Sequence, residues 1–169
     1  EDLKAMFDHA ERWQGPRREG VYPDCDMLPL GRLCVHEEYL GEKNRRSRFT
    51  DDEKQTMMGL WAITGSPLFI GGVLSSLDEW EMTLLTNSDV LALNASNEAP
   101  YERHRDAHSR VWQAGDYIAL FNLSDERRTI AYEPDRPFAC ALELFSAQSQ
   151  NTLTCSIHPH GCRLFHLMR

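Results

Sequence analysis

At 169 residues, with 41% hydrophobic and 26% charged side chains, the chain has room for one sizeable core or two small ones and the make-up of a globular protein. A net charge of -8 argues against a nucleic-acid surface, which needs clustered excess Lys and Arg. No apolar run approaches the length that crosses a bilayer, so neither nucleic acid nor membrane is expected as a partner.

Leu3, Met6, Phe7, Ala10 and Trp13 recur at three- and four-residue steps, which predicts a helix over 2–13 ended by Gln14-Gly15-Pro16. Gly20-Val21 then leads into a strand-compatible run, Tyr22-Pro23-Asp24-Cys25-Asp26-Met27-Leu28-Pro29-Leu30-Gly31. On an extended segment Asp24 and Asp26 point the same way. Two acids on one face call for a partner, a cation or a polar substrate there. The residue types favour a turn-capping role for Asp24, bonded to backbone amides, and a functional one for Asp26, which Met-Leu follows. Helix, short loop and strand in that order suggest part of a parallel sheet.

Residues 31–50 turn polar, with His36, Glu37, Glu38, Glu42, Lys43, Arg45, Arg46 and Arg48. Such a length suits either an irregular functional loop or a solvated one whose arginines tether its own carboxylates, and both readings stand. Thr50-Asp51-Asp52-Glu53 is a capping box, and the Met57, Leu60, Trp61 and Thr64 stripe behind it reads as core. Leu68-Phe69-Ile70 reads as a parallel strand buried on both faces, with Gly71-Gly72 turning the backbone at its end. Ser76-Leu77-Asp78-Glu79 reads as a second capping box, opening a helix with Leu77, Trp80, Leu84 and Leu85.

Residues 94–109 are polar and contain Pro100 with several charges, which places a boundary near 95–100, and beyond it the period changes to two. Val111–Gln113, Tyr117–Leu123, Thr129–Tyr132, Ala141–Phe145, Leu153–Ile157 and Cys162–Leu167 read as strands separated by turn signals, which together mean an antiparallel sandwich. Its aromatics, Tyr117, Phe121, Tyr132, Phe145 and Phe165, sit at alternating positions that suit a core rather than an exposed platform. The five cysteines, Cys25, Cys34, Cys140, Cys155 and Cys162, are irregularly spaced and read as reduced thiols. Cys155, His158, His160, Cys162 and His166 form a Cys/His-rich patch, but no Cys-x-x-Cys pair is among them, and a turn is expected there rather than a zinc site. No metal and no cofactor are expected. Because the chain opens on Glu1, a removed signal peptide and an origin in a longer protein are both open, and so is the compartment.

Asp24-Cys25-Asp26-Met27-Leu28 resembles the Asp-Pro-Asp-Met-Leu segment of the α-galactosidases of glycoside hydrolase clan D, family 27. The resemblance continues in order through Leu60-Trp61-Ala62-Ile63, Ser66-Pro67-Leu68-Phe69-Ile70-Gly71-Gly72, Leu84 to Asn94, and His160 to Leu167. It implies an α/β plus all-β fold: residues 1–97 as the C-terminal strands and helices of a (β/α)8 TIM barrel, and residues 98–169 as a C-terminal antiparallel β-sandwich. By the same resemblance Asp26 bonds sugar hydroxyls, Met27 forms an apolar wall of that pocket, and Asp24 positions the loop. The pocket is then expected at the barrel's C-terminal face, shared with Gly71-Gly72. The family's nucleophile and acid/base lie on earlier barrel strands, so no catalytic residue is expected within these residues.

The function that the resemblance implies is that of a fragment of a retaining glycosidase acting on terminal α-galactoside-type linkages, with galactose, N-acetylgalactosamine and arabinopyranose all open. Its expected partners are a galactoside-type sugar and either an N-terminal barrel segment or a second copy that covers the open sheet. The alternative is a non-catalytic carbohydrate-binding or structural module, in which the sandwich does the work.

Overall fold

The computed structural model describes residues 3–18, 20–36, 38, 41 and 43–169. Asp2, where the first helix is expected to begin, lies outside them, as do Glu37 and Glu42 of the polar stretch.

The organising element is helix α2 (Asp51–Thr64), nearly all of whose residues from Thr56 onward are buried. A helix apolar on every side must be surrounded, and this one is. Helix α1 (Leu3–Glu11) packs on it through Met6, Phe7 and Ala10, while α3 (Glu79–Leu85) and α4 (Ser88–Asn94) contribute Leu84, Val90 and Leu93. The Thr50 cap forms as expected: its hydroxyl accepts from the Glu53 amide, and the Glu53 carboxylate accepts from the Thr50 amide. The helix ends at Gly65, which adopts φ 71°. The second capping box is real but displaced. Asp78, not Ser76, is the cap, and its partner is Glu81, because Leu74–Ser76 form a 3-10 turn that the chain must leave first.

Two expectations for the first half are corrected. Residues 22–27 form no regular strand, and Leu68–Ile70 is not buried on both faces: Phe69 is 57% exposed. A single parallel bridge joins Leu28 to Ile70, with the Leu28 amide donating to Phe69 O and the Gly71 amide to Leu28 O. The polar stretch is not wholly irregular either. Strands β1 (Arg32–Leu33) and β2 (Arg45–Arg46) pair antiparallel within it. No helix among the described residues is long and apolar enough to cross a membrane.

From Pro100 onward every regular element is a strand. The strands are β3 (Pro100–Arg105), β4 (Ser109–Ala114), β5 (Tyr117–Asn122), β6 (Arg128–Tyr132), β7 (Cys140–Glu143), β8 (Ser149–Gln150), β9 (Leu153–Ile157) and β10 (Cys162–Met168). They build a six-stranded sheet in the order β3-β4-β5-β10-β7-β8 and a two-stranded sheet β6-β9, with every pairing antiparallel. The six expected strands are all present. Strand β3 was hidden in the polar stretch because it is an edge, with Arg103, His104 and Arg105 facing solvent.

The large sheet buries both faces. One carries Trp112, Ala119, Phe121, Cys162 and Leu164 against the helices; the other carries Val111, Ile118, Leu120 and Phe165 against Ile130, Leu153 and Ile157 of the small sheet. The first cluster therefore runs without a break from the helical half into the sheet. The Asn87 side chain adds a polar tie, donating to Leu144 O at 2.7 Å.

Candidate functional site

Asp24, Asp26 and Met27 form a tight, exposed turn. The Asp26 amide donates to Asp24 Oδ1 at 2.9 Å, and the Met27 amide donates to Asp26 Oδ1 at 2.7 Å. Asp26 has φ 71°, in the left-handed region that Asp enters more readily than most residues. That conformation corrects the expectation that both acids project from one face of a strand: the left-handed residue breaks the extended alternation at Asp26. Asp24 holds the turn through a backbone amide, the role its residue type favoured.

The turn is fastened to α2 from below. Trp61 is buried, and its indole Nε1–H donates to Asp26 O at 2.8 Å. Between the two acids Cys25 points inward, and its amide donates to buried Ser66 Oγ at 3.0 Å. A proline in that position has no N–H to give, so here the hydrogen bond replaces a ring constraint. Burial pushes the Cys25 thiol up from its ordinary pKa, against the opposing hydrogen bonds from Ser66 and Thr64. Asn94 locks the same corner, its side-chain amide reaching Ser66 O at 2.8 Å and Trp61 O at 3.3 Å.

Met27 stands on the exposed side, 54% accessible, beside the backbone of Gly71. Phe69 and Ile70, on the segment that the Leu28 bridge joins to this turn, are exposed as well and extend Met27 into an apolar shelf. The backbone does bend at Gly72, but neither glycine has positive φ, and what both positions require is close approach. A Cβ on Gly71 would lie 3.0 Å from Met27 Cβ, and one on Gly72 only 1.8 Å from Leu30 O. Asp26 and Met27 thus lie on an open face: neither of two cavities, of about 450 Å³ and 180 Å³, is lined by them or by Gly71-Gly72.

Beneath the β1-β2 ribbon lies Glu81, a carboxylate the sequence did not single out, 1% exposed. It accepts from the amides of Gly31 and Asp78, pairs with Lys54 Nζ at 3.0 Å, and has Arg46 3.7 Å away. Burial pushes its pKa up, but the Gly31, Lys54 and Asp78 hydrogen bonds outweigh that and hold it below the ordinary value. Arg46 also pairs with Asp78, so this arginine of the polar stretch tethers carboxylates on α3 rather than on its own loop.

The Cys/His patch disperses. Cys162 faces the helices from the large sheet and Cys155 lies on β9 of the small sheet, against the core on the large sheet's other side, while His166 stacks on Tyr117 at 4.4 Å. His158 contacts Asp52 and Arg127, and His160 pairs with Asp125. Burial pushes the Cys162 thiol up to about 12. All five cysteines are free thiols, and no three metal-ligating side chains converge among the described residues.

No protein-family profile matches the chain. Known proteins do. An α-galactosidase of Arabidopsis thaliana is 31% identical over 185 aligned positions, which span 99% of this chain and 43% of the relative. The crystal structure of a family-27 β-L-arabinopyranosidase from Geobacillus stearothermophilus superposes with a TM-score of 0.89 at 32% identity, over 99% of this chain and 41% of that one. A candidate α-N-acetylgalactosaminidase of Bacillus halodurans gives 0.87 at 30% identity, over 99% and 43%. The chain spans roughly two fifths of the length of each of these relatives. In sequence and in fold it belongs with the α-galactosidase-like glycoside hydrolases of family 27, of which it represents the C-terminal portion.

Proposed function

We propose that this chain supplies the sugar-binding turn and the C-terminal sandwich of a retaining glycosidase that hydrolyses terminal α-galactoside-type linkages. Residues 1–97 then belong to the end of its barrel and residues 98–169 to the sandwich. The observation that carries the reading is Asp26 itself. An exposed acid is held in a sparsely populated backbone region by a buried tryptophan, next in the chain to Met27 at the end of an apolar shelf. A carboxylate accepts from sugar hydroxyls, and Met27 and Phe69 suit the C–H face of the ring.

Asp24 and Asp26 do not make the catalytic pair. Retention needs two carboxyl groups about 5–5.5 Å apart that flank the scissile bond. These two lie on one turn, with Asp24 bonded to the Asp26 amide. The nucleophile and acid/base are therefore assigned to other strands of the parent barrel, and the Leu28–Ile70 bridge to the contact between its last two staves. The exposed shelf supports coverage by such strands or by a second copy.

The sugar is one of three. The relatives are named for α-galactoside, β-L-arabinopyranoside and α-N-acetylgalactosaminide cleavage. These sugars share ring hydroxyls and differ in their substituents at C2 and C5, so a carboxylate that binds the shared hydroxyls serves all of them. In the intact parent, Asp26→Ala lowers kcat/KM by about 10²–10⁴-fold, corresponding to roughly 3–5 kcal/mol of lost charged hydrogen bonds. Steady-state kinetics on the three nitrophenyl glycosides tests this and selects the sugar; wild-type kcat/KM on the preferred one removes Asp26 from the site.

A further inference from the structure

The two-stranded sheet β6-β9 is narrower than the six-stranded sheet it covers. Directly opposed residues of antiparallel strands share a face. Tyr101 lies opposite Gln113, and Gln113 opposite Ile118, which belongs to the core between the sheets. Tyr101 and Gln113 therefore continue that inner face past the end of its cover. The result is a cavity of about 450 Å³, closed on the far side by the 134–136 segment that follows β6. That volume lies within the range of small-molecule sites, roughly 300–1,000 Å³.

The lining is charged yet balanced. Arg103, Arg136 and Arg169 face Glu98, Asp116 and Asp135, three cations against three anions. A net anion would meet three carboxylates and a net cation three guanidinium groups. A neutral polyol meets neither penalty, because each hydroxyl both donates to a carboxylate and accepts from a guanidinium. Several of these groups are already oriented. The Arg103 guanidinium lies 5.3 Å from the Tyr101 ring centroid and donates through Nε to Gln113 Oε1 at 3.0 Å. Gln113 Nε2 in turn donates to Gly115 O at 3.0 Å, and Arg169 pairs with Asp116. A preset array loses little side-chain freedom on binding.

From this geometry we infer that the cavity is a second saccharide-binding site, taking a neutral mono- or oligosaccharide, and that it performs no chemistry. It is separate from the Asp26 turn. That turn is fastened to α2, and α2 packs on the opposite face of the large sheet, against Trp112, Phe121 and Leu164. The inference goes beyond the glycosidase reading and does not depend on it.

Titration of the isotope-labelled full chain with D-galactose and with raffinose, followed by amide chemical shifts, tests it. The expected result is saturable shifts at Tyr101, Arg103 and Gln113 with affinity on the order of millimolar for at least one sugar. Tyr101→Ala, or Arg136→Ser on the exposed 134–136 segment should the first variant unfold, weakens binding about tenfold. Asp26→Ala leaves it unchanged. Shifts confined to residues 24–27, saturation by inorganic phosphate but not by either sugar, or no saturable shift at the three positions overturns it. A parent enzyme that proves inactive on all three nitrophenyl glycosides leaves the titration result standing, so the two readings fail separately.

Discussion

The indole N–H of Trp61 donates to the carbonyl of Asp26 across 35 residues of sequence, which makes the buried helix α2 the support of the exposed turn. The same side chain fills the core and positions the carboxylate. Trp61→Phe keeps one aromatic ring but removes the donor together with the pyrrole ring, leaving a small void. The expected cost is about 1–2 kcal/mol, read as a lower urea midpoint with an unchanged slope. An unaltered midpoint would show that solvent satisfies the Asp26 carbonyl equally well.

Glu81 makes stability depend on pH. Its folded pKa lies below the ordinary value, so its contribution is fully present above the unfolded pKa of about 4.3 and is lost as pH falls through the folded value. Burial lowers the Lys54 pKa, but pairing with Glu81 and Asp51 more than offsets this and raises it, so that contribution disappears only at strongly alkaline pH. Denaturant midpoints measured from pH 7 down to 3 should fall for the wild type, and Glu81→Gln should flatten the part of that slope due to this group. Because Gln leaves Lys54 without its buried counter-charge, the variant is also weaker at pH 7, by about 3 kcal/mol. Parallel curves for the two proteins would remove Glu81 from the acid transition.

Gly72 is fixed by contact and not by conformation. An added Cβ would lie 1.8 Å from Leu30 O, and backbone cannot move aside as a side-chain tip can. Gly72→Ala should therefore cost about 2–4 kcal/mol, whereas Gly71→Ala, which meets Met27 Cβ at 3.0 Å, should cost less than half as much. Thermal melts of the two variants side by side decide it, and equal melting temperatures would contradict the packing.

The sandwich strands were legible because alternation over five or six residues is a local signal that burial on one face enforces. Strand β3 was missed because its outer residues, Arg103 to Arg105, have the polarity of a linker; only pairing with β4 makes them strand. Asp24 was readable from residue type, since a side chain that bonds an amide two residues on needs nothing distant. The left-handed conformation of Asp26 was not, because Trp61 and Ser66, which fix the turn, lie 35 residues and more away. A buried tryptophan usually finds a hydrogen-bond acceptor, and that tendency was the one hint in the sequence. Glu81 was obscured in the same manner: its partners Gly31 and Lys54 come from separate elements, so no short window shows the cluster.

The 169-residue chain by itself should not hydrolyse glycosides, and it should associate. The two acids of the proposed sugar-binding turn lie on that one turn, with Asp24 bonded to the Asp26 amide, so they cannot flank a scissile bond from two sides. Next to them in the chain and across the Leu28 bridge, Met27 and Phe69 are each more than half exposed, an apolar surface that water solvates poorly and a second copy would cover. Two measurements on the purified chain settle both halves: turnover of nitrophenyl α-galactoside, and mass by light scattering across a concentration series. The expected outcome is no turnover above buffer and a mass that rises with concentration. Turnover by a monodisperse monomer, lost in Asp24→Asn or Asp26→Asn, would mean that these two aspartates do the chemistry themselves and that the parent barrel is not needed to supply it.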